Sequence, residues 1–195
     1  ARVTGLTISL SQATRAQAEP PPVRGTLRVE YGDWLKNNFP GNSFDYCLAV
    51  ESLAHMPDKQ AFFSEIHRTL VPGGRAAVAC WTIAPDPAGL ERLLLGYLCL
   101  AGALPSLGTV AEYGKLAGNA GLVPVTHLDL TQLVEPTWHL IAARLRSSLP
   151  RPRFLGAALR LVLRRPLLAF TIPIMILAYH VGALRYTAFW LEKRT

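Results

Sequence analysis

The feature that most constrains the fold is an alternation of strand-like and helix-like segments in the first half of the chain. The apolar run FDYCLAV (44–50) is typical of a buried strand, and RAAVACW (75–81) is typical of a second strand. Between them, a helix is predicted from Pro57 up to VPGG (71–74), because apolar residues repeat every fourth position: Phe62, Ile66 and Leu70. This alternation predicts a parallel α/β sheet.

The N-terminal segment shows the same pattern. RVTGLTI (2–8) predicts a strand that runs directly into a helix, and Ser9 followed by Gln12 forms a capping-box pattern at the start of that helix. The prolines of PPPVRG (20–25) are expected to end the helix, and TLRVEY (26–31) predicts a second short strand. The first half of the chain therefore contains four predicted strands.

The second half is richer in helices. One helix is predicted in residues 85–108, and another in TVAEYGKLAGNAG (109–121), with Thr109 capping its start and Gly121 ending it. Two late strands follow, LVPVTHLDL (122–130) and GALRYTAFWLEK (182–193). Three helix-like stretches separated by prolines lie between these strands, and an insertion of that size predicts a lid over a site.

Length and composition favour one globular unit. The chain has 195 residues, of which 50% are hydrophobic, and this is enough for a sizeable core. We expect a core in residues 1–135, a helical lid or substrate region in 136–182, and the last strand of the core sheet in 183–195. The three cysteines have neither paired nor metal-ligand spacing, which predicts reduced thiols, no metal site and a cytoplasmic protein: Cys47, Cys80 and Cys99.

The formal net charge of +7 favours an anionic partner. Much of the excess lies between Arg144 and Arg165, without the aromatic pattern of a nucleic-acid stacking surface, so we expect no nucleic-acid partner. Two interpretations of 153–179 remain. Its arginines at 153, 160 and 164, spaced by apolar residues, are typical either of peripheral membrane contact or of a lid helix with solvated charges. The apolar run 167–179 is shorter than the roughly 20 residues of a spanning helix.

Glu51 and His55 follow the predicted strand 44–50 directly. In an open parallel sheet, ligands bind beyond the carboxyl ends of the strands, where the chain turns toward the next helix. A carboxylate and an imidazole at that place are suited to holding a ligand or moving a proton. We therefore predict a functional site there.

These residues also carry a resemblance. ESLAHMPDK (51–59) after the strand, the helix ending SEIHRTLVPGGR (64–75) and the strand ending ACW resemble class I S-adenosylmethionine-dependent methyltransferases. The pattern is most similar to the small-molecule group that contains the tocopherol methyltransferases, with cyclopropane-fatty-acid-synthase-like enzymes as cousins. VTGLTISLSQ (3–12) and YGDW (31–34) resemble further segments of that group. The resemblance implies a Rossmann-like, mostly parallel sheet with a helical lid inserted before the last strand.

The resemblance also implies a set of site residues. Thr7, Ile8 and Gln12 would lie along the ribose and methionine side of S-adenosylmethionine, and Gly32, Asp33 and Trp34 would border its adenine. Val50 and Glu51 would meet the methionine part. His55 would face the acceptor as the candidate catalytic base; the alternative is a structural histidine that bonds a loop backbone. Glu51 belongs to both the catalytic and the cofactor candidates, and we expect it to bind cofactor.

The implied reaction is methyl transfer to a small hydrophobic acceptor of isoprenoid, quinol, sterol or polyketide type. Two departures from the family pattern bear on it. Ala54 stands where relatives carry a glutamate, which argues against cyclopropane synthesis. No strand with a Gly-x-Gly-like loop precedes Ala1, so we expect these residues to be the C-terminal portion of a longer methyltransferase chain. The alternative is a degenerate, non-catalytic relative that binds a hydrophobic ligand or partner. The sequence predicts no oligomeric state.

Overall fold

The computed structural model describes residues 1–19, 24–148 and 152–194, without the side chains of 152–154 and 157. Six strands lie in these ranges: β1 (Arg2–Thr7), β2 (Thr26–Tyr31), β3 (Phe44–Val50), β4 (Leu70–Ile83), β5 (Leu122–Asp129) and β6 (Leu184–Lys193). The α-helices are α1 (Leu10–Ala18), α2 (Lys59–Thr69), α3 (Gly89–Gly102), α4 (Val110–Asn119), α5 (Thr131–Val134), α6 (Pro136–Ser148), α7 (Pro152–Arg164) and α8 (Leu168–His180). Two short 3₁₀ helices cover Trp34–Lys36 and Leu53–His55.

The strands form two sheets. β1 and β2 pair in parallel, and the four-stranded sheet has the order β3-β4-β6-β5. β3 and β4 are parallel, whereas β6 runs antiparallel to both of its neighbours, so β3, β4 and β5 share one direction. The prediction of a mostly parallel α/β sheet is confirmed. The predicted helical insertion before the last strand is also confirmed, because α6, α7 and α8 lie between β5 and β6.

The caps predicted for the helices are largely present. The Ser9 hydroxyl accepts from the Gln12 amide at 3.4 Å, but the Gln12 side chain accepts from the Thr7 hydroxyl at 2.9 Å instead of closing the box. Thr109 and Glu112 form a full capping box on α4, with bonds of 3.1 and 2.7 Å. The proline run predicted to end α1 falls on residues 20–23, outside the described ranges.

Two predictions around α2 are wrong in detail. The helix begins at Lys59 and not at Pro57, because the Asp58 side chain caps it by accepting from the Ala61 amide at 2.8 Å. VPGG does not separate the helix from the strand but lies inside β4. These four residues have no partner on β3, because the register passes from Phe44–Leu70 directly to Tyr46–Arg75. The backbones are close at this irregularity: a Cβ on Gly74 would lie 3.1 Å from the Asp45 carbonyl oxygen.

Two groups of buried side chains stabilise the fold. The larger one packs α2 and α4 on the four-stranded sheet and includes Phe62, Phe63, Ile66, Val78, Tyr113, Leu122 and Leu191. The second packs α3 against the lid helix α8 and includes Leu94, Leu95, Leu98, Met175 and Tyr179. Burying each large apolar side chain contributes on the order of 1.5–3 kcal/mol, so the lid is anchored to the core through α8.

β3 does not have the burial predicted for it. Tyr46, Leu48 and Val50 alternate along one face of the strand and are 74%, 75% and 56% exposed. In the described ranges β3 pairs only with β4, and β1 pairs only with β2. The prediction of a buried strand is wrong here because one edge and one face of β3 meet no partner in the described part of the chain.

Within the described residues, no single helix is long and apolar enough to cross a membrane. Residues 158–164 and 168–180 together are long and apolar enough to cross a membrane, but the two helical segments meet at an angle of 89°. Pro173 lies inside α8, whose Met175, Ala178 and Tyr179 are buried.

Candidate functional site

A crevice separates β1 from β3 and forms the centre of the candidate site. Its free volume of about 320 Å³ lies within the range of 300–1,000 Å³ that is typical of small-molecule pockets. One wall comes from β1 and the other from β3, with Trp34, Met56 and Phe62 completing the lining. Of the residues that the sequence analysis assigned to the cofactor, Trp34 and Val50 line this crevice.

The carboxyl end of β1 brings three predicted residues together. The Thr7 hydroxyl donates to Gln12 Oε1 at 2.9 Å and accepts from the Ser9 amide at 3.1 Å. Ile8 lies between them and is 72% exposed. These bonds fix the orientation of the Thr7 and Gln12 side chains at the turn into α1.

The residues predicted at the adenine lie beside this group, at the end of β2. The Gly32 amide donates to the Thr7 carbonyl at 2.9 Å and holds the two strand ends together. One oxygen of Asp33 accepts from the Leu35 amide at 2.9 Å and caps a 3₁₀ helix. The Trp34 indole donates to the Phe62 carbonyl at 3.2 Å while its side chain lines the crevice. Trp34 therefore packs against the core and also lines the crevice.

At the carboxyl end of β3, neighbouring residues lie in different surroundings. Val50 lines the crevice. Glu51 has a positive φ of 56°, a conformation that is costly for a residue other than glycine, and its amide donates to the Ala79 carbonyl at 2.9 Å. This backbone kink turns the chain out of the sheet at the position predicted for the site.

The Glu51 carboxyl is in a partly buried environment near β6. Burial raises its pKa above the ordinary value, and the Tyr186 hydroxyl and the positive charge of His55 oppose that effect. A raised pKa is typical of carboxyl groups at functional sites. Glu51 therefore lies between the crevice and a second group of residues that belongs to β6 and the lid.

His55 ends the 3₁₀ helix that follows Glu51, and its side chain is exposed. The preceding residue, Ala54, is 1% exposed, so the position at which relatives carry a glutamate is packed into the core. The structure thus places His55 at the surface, four residues after Glu51.

Sequence reasoning missed the aromatic residues of the second group. Trp81 on β4 is the cross-strand partner of Tyr186 on β6, and its ring lies 6.3 Å from that of Trp138 on α6. Tyr179, at the end of α8, is close enough to Glu51 for that carboxylate to raise the pKa of its hydroxyl, although burial is the larger cause. Of these aromatic residues, only Trp81 was indicated by the sequence, through the strand ending ACW. The others come from distant elements: Trp138 from α6, Tyr179 from α8 and Tyr186 from β6.

An apolar cavity of about 50 Å³ lies under the Trp81–Trp138 pair. Its other lining residues are Leu98, Gly102, Leu104, Leu107, Thr171, Met175 and Leu184. In the described ranges, no group of three or more His, Cys, Asp or Glu side chains is arranged to hold a metal ion. The site that the described residues form is thus an apolar crevice with a few polar groups.

Comparison with known proteins identifies the class to which this fold and site belong. Residues 1–78 match the model of a family described as methyltransferase domain. The resemblance to S-adenosylmethionine-dependent methyltransferases that the sequence analysis stated is confirmed by this match.

Within that class, the particular relatives are small-molecule methyltransferases. The chain is 35% identical over 144 residues to 27-O-demethylrifamycin SV methyltransferase of Amycolatopsis mediterranei, covering 73% of this chain and 53% of the relative. It is 30% identical over 201 residues to a probable chloroplastic tocopherol O-methyltransferase of Oryza sativa subsp. japonica, covering 99% and 54%. The chain thus spans about half the length of these curated relatives.

Solved structures support the fold. Geranyl diphosphate C-methyltransferase from Streptomyces coelicolor A3(2), in complex with Mg²⁺, geranyl-S-thiolodiphosphate and S-adenosyl-L-homocysteine, superposes with a TM-score of 0.73 at 20% identity. The match covers 98% of this chain and 61% of that chain. The Rossmann-like methyltransferase fold is therefore confirmed over nearly the whole length of the chain.

Proposed function

We propose that this chain forms the C-terminal part of an S-adenosylmethionine-dependent methyltransferase that acts on a small hydrophobic acceptor. The observation that carries the proposal is that the Gly32–Thr7 hydrogen bond joins the carboxyl ends of β1 and β2, and that Glu51 and His55 directly follow the carboxyl end of β3. Methyl transfer from a sulfonium is an in-line displacement, which alignment and exclusion of water accelerate. We propose that the chain is organised in three parts: a core (1–135), a helical lid or substrate region (136–182) and the last strand of the core sheet (183–195).

The residues at the crevice fit the cofactor. S-adenosylmethionine, when bound, supplies a methyl group on a positively charged sulfur. The exposed face of Ile8 and the indole of Trp34 offer apolar surface for the nucleoside, and Asp33 offers a carboxylate that can accept from an adenine amino group. Thr7, Gln12 and Gly32 hold the neighbouring strand ends in place, and Val50 lies on the opposite wall of the crevice, directly before Glu51.

The two walls of the crevice also support the proposal of a longer chain. β1 and β3 each have an edge without a pairing strand in the described ranges, and residues of both strands line the space between those edges. Unpaired edges beside exposed apolar side chains are unfavourable in a finished sheet. A strand from a segment preceding Ala1 would fill the crevice, pair with both edges and cover Leu48, and the cofactor would then bind beyond the carboxyl ends of the strands.

Calorimetry tests this proposal on two proteins, the 195-residue chain and a chain extended upstream. We expect S-adenosylmethionine and S-adenosylhomocysteine to bind the extended protein and to bind the shorter one weakly or not at all. Asp33→Ala in the extended protein should weaken binding, whereas the exposed Asp86→Ala should not. An extended protein that folds but binds neither compound would support the alternative, a non-catalytic relative.

The acceptor class follows from the surroundings of Glu51 and from the relatives. The lid side of the site is lined by Trp81, Trp138 and aliphatic residues, which favours an apolar acceptor. The two curated relatives are named for a rifamycin-type and a tocopherol-type substrate. His55 is the proposed base for a hydroxyl acceptor, because its side chain is exposed and it follows Glu51 by four residues. In this role the imidazole takes the proton of the acceptor hydroxyl.

Peripheral membrane contact through residues 153–179 is part of the proposal, because a membrane surface would deliver such an acceptor. Leu155, Leu159 and Leu163 lie on one face of α7 and are 54%, 57% and 74% exposed. Arg160 and Arg164 on the same helix are exposed, which suits anionic headgroups. The Arg153 side chain lies outside the described residues. A cytoplasmic location agrees with contact at that surface.

Co-sedimentation with vesicles tests the contact. We expect binding to phosphatidylglycerol vesicles that weakens with salt, little binding to phosphatidylcholine, and loss of binding in Leu159→Glu/Leu163→Glu. Leu93→Glu is the matched control, because Leu93 is 73% exposed but lies on α3. Failure to bind anionic vesicles at any salt concentration would leave the alternative of a lid helix with solvated arginines.

A further inference from the structure

Glu51 and Tyr186 meet across one strand of the sheet. The Glu51 amide donates to the Ala79 carbonyl of β4 at 2.9 Å, and Tyr186 is the partner of Trp81 on the other side of β4. Because β6 is antiparallel to β4, its first residues lie at the carboxyl end of β4. At this edge the Tyr186 hydroxyl hydrogen-bonds the Glu51 carboxyl.

Both residues of this contact have a fixed backbone. The Tyr186 amide donates to the Thr131 hydroxyl at 3.0 Å, and its carbonyl accepts from the Leu130 amide at 2.8 Å. Tyr186 is 6% exposed. Glu51 has a φ of 56°, and a costly conformation of this kind is typical of functional sites. A rigidly held hydroxyl therefore meets a carboxyl that the backbone turns out of the sheet.

The groups around Glu51 differ in their effect on its charge. Burial raises the pKa of Glu51, whereas the hydrogen bond from Tyr186 and the charge of His55 lower it. Cys80 on β4 and Tyr179 on α8 also face the carboxyl, and its charge contributes to their raised pKa values, so both remain uncharged at physiological pH. Tyr186 thus favours the ionised carboxylate from a buried position, where a hydrogen bond is stronger than in water.

The contact leaves the carboxylate able to bind a ligand. An ionised carboxylate has about four sites that accept hydrogen bonds, and the Tyr186 hydroxyl occupies one of them. The remaining sites suit a positively charged donor. The proposed cofactor has such a group, because the methionine part of S-adenosylmethionine contains an ammonium group next to a sulfonium.

We propose that Tyr186 is a positioning residue, whose hydroxyl orients Glu51 and keeps it ionised to bind the positively charged methionine part of the cofactor. This inference rests on the proposed function, because it takes the cofactor role of Glu51 from there. It adds to the site a residue that is separated from Glu51 by most of the chain. Tyr186 acts through Glu51 and does not itself touch the cofactor.

NMR titration of the carboxyl resonances tests the contact in the upstream-extended protein. The resonance of Glu51 is identified by its absence in Glu51→Gln. We expect the pKa of Glu51 to be higher in Tyr186→Phe than in the wild type, because this variant keeps the ring and removes the donor. Tyr97→Phe is the matched control, since the Tyr97 hydroxyl donates to the Leu167 carbonyl; it should leave the titration unchanged. An unchanged titration in Tyr186→Phe would overturn the inference.

A double-mutant cycle tests the link to the cofactor. Calorimetry at neutral pH compares S-adenosylmethionine binding by the extended wild type, Tyr186→Phe, Glu51→Gln and the double variant. We expect Tyr186→Phe to weaken binding about tenfold, the ratio that one hydrogen bond to a charged group supports, and to have little effect when Glu51→Gln is already present.

The outcomes of the cycle separate this inference from the proposed function. Equal weakening by Tyr186→Phe in both backgrounds would show a structural role that does not act through Glu51, and would overturn the inference. Wild-type binding that Tyr186→Phe leaves unchanged would also refute this inference alone. An extended wild type that binds neither S-adenosylmethionine nor S-adenosylhomocysteine would refute the proposed function, and this inference with it.

Discussion

Trp81 and Tyr186 are directly opposite each other on the antiparallel strands β4 and β6. From this pair, Trp81 reaches Trp138 in the lid, and Tyr186 faces the Glu51 carboxylate. Side chains opposite each other on neighbouring strands lie on the same face of a sheet. The pair therefore connects the end of β3 to the lid and defines the acceptor side of the proposed site.

His55 should matter for turnover and not for stability. We expect His55→Ala in the upstream-extended protein to lower methyl transfer to a prenylated hydroquinone by about 10²–10⁴-fold, the range for loss of a general base. Because His55 is exposed, the free energy of unfolding of the His55→Ala protein should stay within about 0.5 kcal/mol of the wild type. His139→Ala, also exposed, is the control. Equal losses of stability and turnover would instead indicate a structural histidine.

Glu51 should make stability fall with rising pH. Its pKa is raised by burial above the ordinary 4.5, so the folded state binds a proton more tightly than the unfolded state between the two pKa values. By linkage, the stability contributed by the protonated carboxyl is present at acidic pH and is lost as the pH rises through that interval. Urea titrations at several pH values should show Glu51→Gln gaining stability relative to the wild type above pH 4.5. A difference that does not change with pH would contradict this prediction.

The buried hydroxyls of Thr82 and Thr187 should stabilise the fold only as a pair. They hydrogen-bond each other at 2.8 Å, and the residues are 0% and 2% exposed. Thr82→Val leaves the Thr187 hydroxyl buried and unpaired, so we expect a loss of about 1–3 kcal/mol in the free energy of unfolding, measured with urea. The double variant Thr82→Val/Thr187→Val should recover most of that loss. Additive losses would show that the two hydroxyls have other partners.

Lys193 should stabilise the fold by linking the end of β6 to Asn42 and to the junction of α2 with β4. Its ammonium donates to Asn42 Oδ1 at 2.7 Å and to the carbonyls of His67 and Leu70 at 2.9 Å each. We expect Lys193→Met to destabilise the protein by about 1.5–3 kcal/mol, because these bonds are charge-assisted. The exposed Lys115→Met is the control.

The same variant has a second readout. His67 has a pKa lowered by burial and by the charge of Lys193, so the pKa of His67 in an NMR titration should rise in Lys193→Met. An unchanged His67 pKa together with unchanged stability would show that the Lys193 contacts do not persist in solution.

The cysteines should react in a fixed order. Burial raises the pKa of Cys47 to about 11 and that of Cys80 to about 12, so thiolate is scarce at pH 8. Ellman's reagent should react first with Cys99, slowly with Cys47 at the crevice, and not with the fully buried Cys80 in the native state. All three should react in urea, and Cys99→Ser should abolish the fast phase. Rapid reaction at Cys80 would contradict the burial described for β4.

Local signals in the sequence predicted much of the core. The apolar repeat in α2 and the caps at Ser9 and Thr109 depend on contacts between residues that are close in the sequence, so they are kept in the fold. Where prediction failed, a distant contact was responsible. VPGG forms an irregularity inside β4 because the strand shifts register against β3 there, and β3 is exposed because its second edge has no partner in the described ranges.

The sequence by itself determined the class of fold, the end of β3 at Val50, the end of β1 to within one residue of Thr7, and the positions of Glu51 and His55 after β3, because periodicity and turn chemistry are local. Only the tertiary structure decided which side chains surround Glu51. Tyr179 and Tyr186 are far from it along the chain: Tyr186 reaches it from β6, and Tyr179 reaches it because α8 packs on α3. Burial among those elements, which no short stretch of sequence encodes, sets the pKa of Glu51.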